Sequence, residues 1–222
     1  MNQYPGVVGR KIGMTQLIAE DGTVSPVTVI EAVTMVVGKR TRDKDGYDAL
    51  IFGIDDAKEK HISKAVLGSF KAKSVPPKRI QREFRCSAEH AASVEVGQLV
   101  KLEDFFQEGQ FLDVRGVSRG KGFQGVVRRY KFAGSVQTHG THEYRRHGGS
   151  IGTNMTPGRT KKGMKMPGQM GNVRFSVLNQ KVAKVLADKH IVLLYGGVAG
   201  ARGGLVELRG AIKRHGGRPA AK

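Results

Sequence analysis

The sequence predicts a mainly β protein, in which a closed or nearly closed antiparallel barrel carries a small helical insertion and a long extended basic loop. Short runs rich in β-branched residues recur along the chain, and turn pairs such as Asp21-Gly22 and Asp45-Gly46 separate several of them. Many short strands with turn signals between them are typical of barrels. The cationic residues, in contrast, are concentrated in one glycine-rich stretch that interrupts the series of strands.

The N-terminal part of the chain supplies most of the predicted strands. The spacing of Val66, Leu67 and Phe70 predicts a helix over residues 63–73, and Pro76-Pro77 then breaks the chain. The predicted strands of this part are residues 7–11, 14–19, 24–33, 35–39, 47–54, 80–85, 99–102 and 111–117.

Four more strands are predicted after the basic stretch, at residues 173–178, 182–186, 191–195 and 205–208. We therefore expect the basic stretch to be an insertion between strands. The predicted organisation is a barrel body of residues 1–117 and 173–209, with a helical or irregular insertion at 55–95, a short helix plus extended loop at 118–172, and a basic C-terminal tail at 210–222.

The charge is distributed very unevenly. The 222 residues include 38 Lys and Arg against 19 Asp and Glu, a net charge of +19. Residues 115–174 hold 13 of these cations, 13 of the 31 glycines and a single acid, Glu143. Residues 209–222 add five cations and no acid. The remaining 148 residues carry only +2, so a nearly neutral body supports a strongly basic segment.

So large a positive charge favours a polyanionic partner. Nucleic acid is favoured over a membrane, because the chain has no apolar run of 18 residues and no basic amphipathic helix. We also expect no secretory signal, and the single cysteine excludes a disulfide framework within one chain. An idle glycine-rich linker is the alternative for residues 115–174. However, its glycines are interleaved with cations and aromatic rings, which favours contact with RNA. Such a segment has too little apolar surface to fold alone and should become ordered when it binds RNA.

Residues 120–125 match the pattern G-x-G-x-x-G between a predicted strand and a predicted helix at 123–131. A nucleotide cofactor is the weaker interpretation, because no apolar second strand follows. In the favoured interpretation, the glycines expose the N-terminus of the helix to a phosphate of RNA, which binds there as a cofactor phosphate would. Residues 116–121 are one residue short of a P-loop. We therefore predict no cofactor.

Three histidines, His139, His142 and His147, lie within nine residues of each other. Zinc could use three histidines, but the adjacent Arg145 and Arg146 would repel a cation. Stacking or hydrogen bonding to nucleic acid is therefore favoured over a metal site. Four aromatic residues could also stack on bases, namely Phe123, Tyr130, Phe132 and Tyr144. Of these, Phe123 and Tyr130 are better suited to anchoring the short helix to the barrel.

No catalytic constellation is evident, and we predict that the protein is not an enzyme. The sequence contains no paired acids in a credible site and no supported Cys/His dyad. Arg85 could lower the pKa of the neighbouring Cys86 thiol, but a lone cysteine on a strand is more often structural.

Five motifs, in order along essentially the whole chain, resemble the family of the universal third protein of the large ribosomal subunit, in its bacterial type. They are Val-Val-Gly-Arg-Lys-Ile-Gly-Met-Thr at 7–15, Gly-Val-Ser-Arg-Gly-Lys-Gly-Phe-Gln-Gly at 116–125, Thr-His-Gly at 138–140, residues 148–157, and Lys-Met-Pro-Gly-Gln-Met-Gly at 165–171.

The resemblance implies a translation-protein-type β-barrel on the outer face of the large subunit, and a loop that threads into rRNA toward the peptidyl-transferase centre. It implies a cytoplasmic, ribosome-bound protein that binds rRNA early and helps to nucleate assembly. Its partners would be large-subunit rRNA and neighbouring ribosomal proteins, with no membrane and no small-molecule substrate. Some bacterial members carry a side-chain-methylated glutamine where this chain has Met155, so that modification should be absent here.

Carried over to this chain, the resemblance and the charge pattern predict two sets of residues. The predicted rRNA contacts are Arg10, Lys11, Arg119, Lys121, Arg128, Arg129, Lys131, His139, His142, Arg145, Arg146, Arg159, Lys161, Lys162, Lys165 and Arg174. The predicted loop tip near the peptidyl-transferase centre consists of Ser150, Gly152, Thr153, Asn154, Met155, Thr156 and Pro157. An architectural DNA-binding protein is the alternative, although no helix-turn-helix or wedge element is evident.

Overall fold

The computed structural model describes residues 6–214, and these fall into two units. One unit, the body, contains the described residues up to Val117 and from Arg174 onward; the other, which we call the inserted unit, is Ser118–Val173. The structure is mainly β, as predicted. Its strands are β1 (Gly6–Ile18), β2 (Val24–Glu31), β3 (Met35–Arg40), β4 (Ala49–Asp56), β5 (Lys78–Arg85), β6 (Phe111–Val117), β7 (Phe123–Gln124), β8 (Gly168–Gln169), β9 (Arg174–Leu186), β10 (Ile191–Tyr195) and β11 (Leu205–Gly210).

The helices are few and short. Within the described residues, none is long and apolar enough to cross a membrane. The α-helices are α1 (Arg42–Asp45), α2 (Lys64–Lys71), α3 (Ala88–Ser93) and α4 (Val126–Tyr130). Single turns of 3₁₀ helix occur at Glu59–His61, Leu102–Asp104, His142–Arg146 and Ala187–Lys189.

Six strands of the body close into an antiparallel barrel in the order β1-β11-β6-β9-β10-β2. Alternate residues of each strand face the interior, as the two-residue period of a strand requires. Val7 of β1 lies directly opposite Leu208 of β11, and both are fully buried. Burial of each such side chain contributes about 1.5–3 kcal/mol, so the barrel interior is the main source of the body's stability.

The strands β3, β4 and β5 form a separate sheet against the barrel, in that order. Phe52 of β4 contacts the rings of Phe84 and Phe105, with centroids 5.8 and 5.9 Å apart, and all three belong to the barrel's continuous apolar core. A smaller cluster forms where Phe70 of α2 packs on Val37 and Val75. The expected apolar side of that helix is only partly buried, because Val66 is 41% exposed.

Several predicted strands differ in detail from those observed. Residues 7–11 and 14–19 form the single strand β1, whose register shifts between Lys11 and Gly13. Residues 173–178 and 182–186 likewise form one strand, β9. The prediction of a strand at 99–102 is wrong: Leu99 makes one isolated bridge to Met35, and Leu102 begins a 3₁₀ turn. That turn buries Leu102, Phe105 and Phe106, a gain in apolar burial that a strand at this position would not give.

The carboxylate of Asp113 holds the backbone just after β11 against the barrel. Asp113 is 9% exposed and accepts hydrogen bonds from the backbone N–H of Asn179 at 2.9 Å and of Ile212 at 3.3 Å. Two such donors satisfy a charge that burial would otherwise penalise. Arg214 then places its guanidinium 4.5 Å from the centroid of the Phe111 ring. The rest of the predicted tail, residues 215–222, lies outside the described residues.

Candidate nucleic-acid interface

The inserted unit begins and ends in a short backbone ladder. The N–H of Ser118 donates to the carbonyl of Val173 at 2.9 Å, and the N–H of Asn172 donates back to Ser118 at 3.0 Å. Further along, Lys121 donates to Met170 at 2.9 Å, and β7 pairs with β8. The two ends of the inserted unit are therefore held together by its own backbone.

The glycine motif at 120–125 lies in this ladder and not at a long helix. Helix α4 begins at Val126 and ends at Tyr130. The next residue, Lys131, adopts a left-handed conformation with φ of 63° and so ends the helix. The motif ends at Gly125, the N-cap residue of this short helix, and its contact with a phosphate stays a prediction. The helix is held by Val126, which is buried and lies under Gly148.

The inserted unit combines high charge with almost no apolar burial. Its 56 residues contain eleven Lys and Arg residues and one acid, a net charge of +10. Among the side chains that the structure describes there, only Val126 is a buried hydrophobic residue. A segment of this kind has little core of its own and a large cationic surface, as the sequence predicted.

The predicted rRNA contacts are mostly exposed. Arg10, Lys11 and Arg129 are half-buried. The other thirteen are exposed, namely Arg119, Lys121, Arg128, Lys131, His139, His142, Arg145, Arg146, Arg159, Lys161, Lys162, Lys165 and Arg174, the last of which lies in β9 of the body.

Arg10 and Lys11 have partners within the body. Arg10 donates through Nε to the Asp55 carboxylate at 3.0 Å, and this hydrogen bond raises the pKa of the arginine and lowers that of the aspartate. Lys11 donates to the carbonyl of Val198 at 2.8 Å and more weakly to that of Gly200. Both cations thus stabilise the body, and their contact with rRNA stays a prediction.

Arg129 organises a small cluster of cations around an aromatic ring. It donates to the carbonyl of Met166 at 2.8 Å, and its guanidinium lies 5.0 Å from the centroid of the Tyr130 ring. Lys165 lies 5.9 Å from the same ring, and Phe132 packs beside it with centroids 6.4 Å apart. Arg129 therefore joins helix α4 to the returning strand of the inserted unit.

The histidines do not converge. No group of three metal-binding side chains is found among residues 6–214. His147 packs on Tyr144 with ring centroids 4.8 Å apart. Phe123 is 75% exposed, so the expectation that it anchors the short helix is wrong and its ring is available for stacking.

The predicted tip contains no helix or strand, has one turn at residues 155–157, and exposes its side chains. Ser150 donates through its hydroxyl to the carbonyl of Gly152 at 2.9 Å, and Thr153 donates to that of Thr156 at 2.8 Å. Met155 is 86% exposed, more than any other large apolar side chain of the described residues. Residues 148–158 contain no charged side chain, although cations flank them on both sides.

The sequence analysis missed a second group of cations, which lies in the body. A groove of about 800 Å³ runs between the 3₁₀ turn before α2 and strand β5. It is lined by Lys58, His61, Lys78 and Arg79, and also by Asp56, whose carboxylate is paired with Lys78 at 2.6 Å. The near-neutral total of the body concealed this cluster, since acids of the body, Asp56 among them, cancel its charge.

Cys86 is a structural thiol. It is buried, and burial, assisted by the charge of Asp48, raises its pKa to about 11. The pKa of Cys86 is therefore raised and not lowered, contrary to the possibility that its neighbour Arg85 suggested. A buried thiol that stays protonated at neutral pH is a poor nucleophile.

A closed β-barrel interrupted by an exposed, glycine-rich unit of net charge +10 is typical of a ribosomal protein. Comparison with known proteins gives the same class. The family model of ribosomal protein L3 matches residues 83–190. The large ribosomal subunit protein uL3 of Sorangium cellulosum (strain So ce56) is 54% identical over 218 residues, which cover 98% of this chain and 94% of that protein.

Two further relatives are similar over nearly the same length. Large ribosomal subunit protein uL3 of Myxococcus xanthus (strain DK1622) is 46% identical over 210 residues, covering 94% of this chain and 93% of that protein. The uL3 of Salinibacter ruber (strain DSM 13855 / M31) is 42% identical over 205 residues, covering 91% and 97%. The chain belongs to the uL3 family. It is a structural constituent of the large subunit of the cytoplasmic ribosome and not an enzyme.

Proposed function

We propose that the inserted unit binds large-subunit rRNA directly, helps to nucleate assembly of the subunit, and carries its tip toward the peptidyl-transferase centre. The observation that carries this proposal is the combination of a +10 charge with a single buried hydrophobic residue in the unit. Cations exposed at this density gain most by neutralising phosphates and releasing counterions.

The exposed cations and rings have distinct roles in this proposal. Lys161 and Lys162 lie side by side in an exposed stretch without secondary structure, where they are suited to contact phosphates. Phe123 and Tyr144, which are 75% and 61% exposed, are suited to stack on unpaired bases. Arg129 is a positioning residue, since its guanidinium is already bound to Met166.

The tip is proposed to act by shape and not by charge. Residues 148–158 are neutral, and their turns are closed by hydroxyl-to-carbonyl hydrogen bonds. A neutral tip between cationic flanks can enter crowded RNA, because the flanks supply the affinity. There it would tune peptide transfer without performing it.

Filter binding of the full chain to a large-subunit rRNA fragment tests the first part of the proposal. With about ten phosphate contacts, the affinity should fall roughly 10³- to 10⁵-fold between 50 and 200 mM salt. The double variant Lys161→Gln, Lys162→Gln should reduce the slope of log affinity against log salt by about two. Lys44→Gln is the matched control, because this exposed lysine lies between Asp43 and Asp45 in α1 and should leave the slope unchanged.

The same assay with duplex DNA of equal length separates the two nucleic acids. Equal affinity and equal slope for DNA would support the architectural DNA-binding alternative instead. Cross-linking of residues 150–158 in assembled subunits tests the tip separately. Adducts to the RNA of the peptidyl-transferase centre are expected, and adducts only to distant RNA would contradict the tip's position while leaving rRNA binding intact.

A further inference from the structure

The hairpin of β1 and β2 differs from the rest of this cationic protein. No Lys or Arg occurs between Lys11 and Lys39, a stretch that contains Glu20, Asp21 and Glu31. The hairpin itself thus has no cation and two exposed acids at its turn, and the one cation that contacts its outer edge, Arg202, lies at its base beside Ile12. The end of the hairpin beyond Arg202 therefore repels phosphate and is unsuited to rRNA.

The end of the hairpin extends past its neighbouring strands. Strand β1 pairs with β11 only as far as Arg10, and with β2 onward to Ile18. Arg202 donates to the carbonyl of Ile12 at 2.9 Å, and among the described residues this is the last partner on that side of β1. From Gly13 to Ile18 the outer side of β1 is an open sheet edge.

The register shows which backbone groups this edge presents. Ala19 donates its N–H to Thr23 at 3.0 Å, so Ala19 and Thr23 are a hydrogen-bonded pair. Hydrogen-bonded and non-hydrogen-bonded pairs alternate along an antiparallel ladder. Met14, Gln16 and Ile18 therefore belong to non-hydrogen-bonded pairs with β2. Gly196 donates to the carbonyl of Pro26, the residue opposite Gln16, which confirms that this pair points its polar groups away from the ladder. Three N–H and three C=O groups thus face outward along β1.

The edge exposes two large apolar side chains, which flank Gln16 on one face of the strand. Met14 and Ile18 lie on one face of the strand and are 54% and 69% exposed, and Val24 opposite Ile18 is 53% exposed. Proteins protect a free edge with lysine, proline or a charge that points inward. Residues 13–18 of β1 contain none of these.

We propose that the outer edge of β1 at residues 13–18 binds an extended, cationic segment of a second protein of the large subunit by strand addition. Main-chain hydrogen bonds to Met14, Gln16 and Ile18 supply affinity. The exposed apolar side chains of Met14, Ile18 and Val24, on either side of Gln16, select apolar side chains in the partner strand. Charge decides the partner's chemistry. Glu20 and Asp21 attract a basic segment, whereas a second copy of this chain would bring the same cation-free hairpin to the edge.

A diazirine amino acid placed at Met14 and photolysed in purified large subunits tests the proposal, since diazirines react with protein and RNA alike. We expect a ribonuclease-resistant adduct that maps to a segment of another subunit protein with net positive charge. Gln16→Pro should abolish the adduct, because it removes an outward N–H without breaking the β1–β2 ladder. Gln16→Ala is the matched control and should retain it, because the backbone donor is kept.

Hydrogen exchange on the unsubstituted protein provides a second measurement that needs no variant. The amides of Met14, Gln16 and Ile18 should exchange at least about tenfold more slowly in the subunit than in the free chain. An adduct to rRNA or to a second copy, no adduct, or equal exchange in the two states would each overturn the proposal. These experiments do not involve the inserted unit, so the proposal that it binds rRNA directly is tested separately, by the filter-binding assay.

Discussion

The guanidinium of Arg10 in β1 donates through Nε to the carboxylate of Asp55 in β4 over 3.0 Å, and so joins a barrel strand to the three-stranded sheet. Both side chains are about 30% exposed, at 32% and 27%. The hydrogen bond to Arg10 holds the pKa of Asp55 below its ordinary value. Asp55 also has a positive φ of 59°, a conformation that Asp and Asn accept more readily than most residues.

Asp55→Asn should destabilise the body by about 1–2 kcal/mol at pH 7, because it removes the charge that Arg10 is bound to while keeping the side-chain shape and the left-handed backbone. Urea unfolding of the full chain measures this difference. Asp43→Asn is the control, because Asp43 is an exposed acid of α1 and substitutions of such surface groups change stability little.

The effect of Asp55→Asn should also depend on pH. A folded-state pKa below the unfolded value of 3.8 means that the contribution of Asp55 is complete above that value and is lost as the pH falls through the folded pKa. The stability difference between the original protein and the variant should therefore narrow below about pH 4. A difference that is constant from pH 7 to pH 3 would show that Arg10 stabilises the body by packing alone.

Cys86 should be almost unreactive in the folded protein. Its pKa of about 11, against 9.0 for a free thiol, leaves a thiolate fraction at pH 8 that is smaller by on the order of 100-fold. Alkylation by iodoacetamide at pH 8 should accordingly be at least about 100-fold slower in buffer than in 6 M urea. Rapid labelling of the folded chain would mean that the thiol is accessible and its pKa ordinary.

The strands were predictable where local pattern and tertiary structure agree. Residues 111–117 and 191–195 are strands with the predicted limits, because each is a short apolar run between turns. The single strand β1 was not predictable, since only the register shift at Gly13 allows the two runs to continue as one. The division between the barrel and the sheet of β3, β4 and β5 also depends on pairing partners, which local sequence does not encode.

The candidate site was predictable in its charge and not in its geometry. A tally of Lys, Arg and Glu143 located the cationic segment correctly. The internal partners of Arg10 and Arg129 depend on residues that are 45 and 37 positions away, so composition could not distinguish these cations from free ones. The open edge of β1 was overlooked for the same reason, since strand pairing alone reveals which edge is free.

Gly171→Ala should disorder the ladder at the base of the inserted unit. Gly171 has a φ of 73°, and an added Cβ would collide with the carbonyl oxygen of Arg119. The amide of Lys121, which donates to Met170, should then exchange at least about tenfold faster, and rRNA affinity should weaken with it. Gly125→Ala is the matched control, because its Cβ meets no atom within 4 Å and its φ is −68°. Unchanged exchange in Gly171→Ala would contradict a ladder-based organisation.

Substitutions in the tip should alter peptide transfer without unfolding the chain. Asn154 and Met155 are exposed, and a Cβ added at Gly152 meets nothing within 4 Å, so Gly152→Ala, Asn154→Ala and Met155→Ala should leave the unfolding transition unchanged. In reconstituted subunits, each should change the rate of peptide transfer or the sensitivity to inhibitors of that step by a few-fold, because the tip is proposed to contact catalytic RNA. Val136→Ala is the control for position, because Val136 is 69% exposed in the same unit but lies outside the tip. This substitution should leave the rate of peptide transfer unchanged. Equal rates for all four variants and the original protein would mean that the tip does not reach the reaction centre.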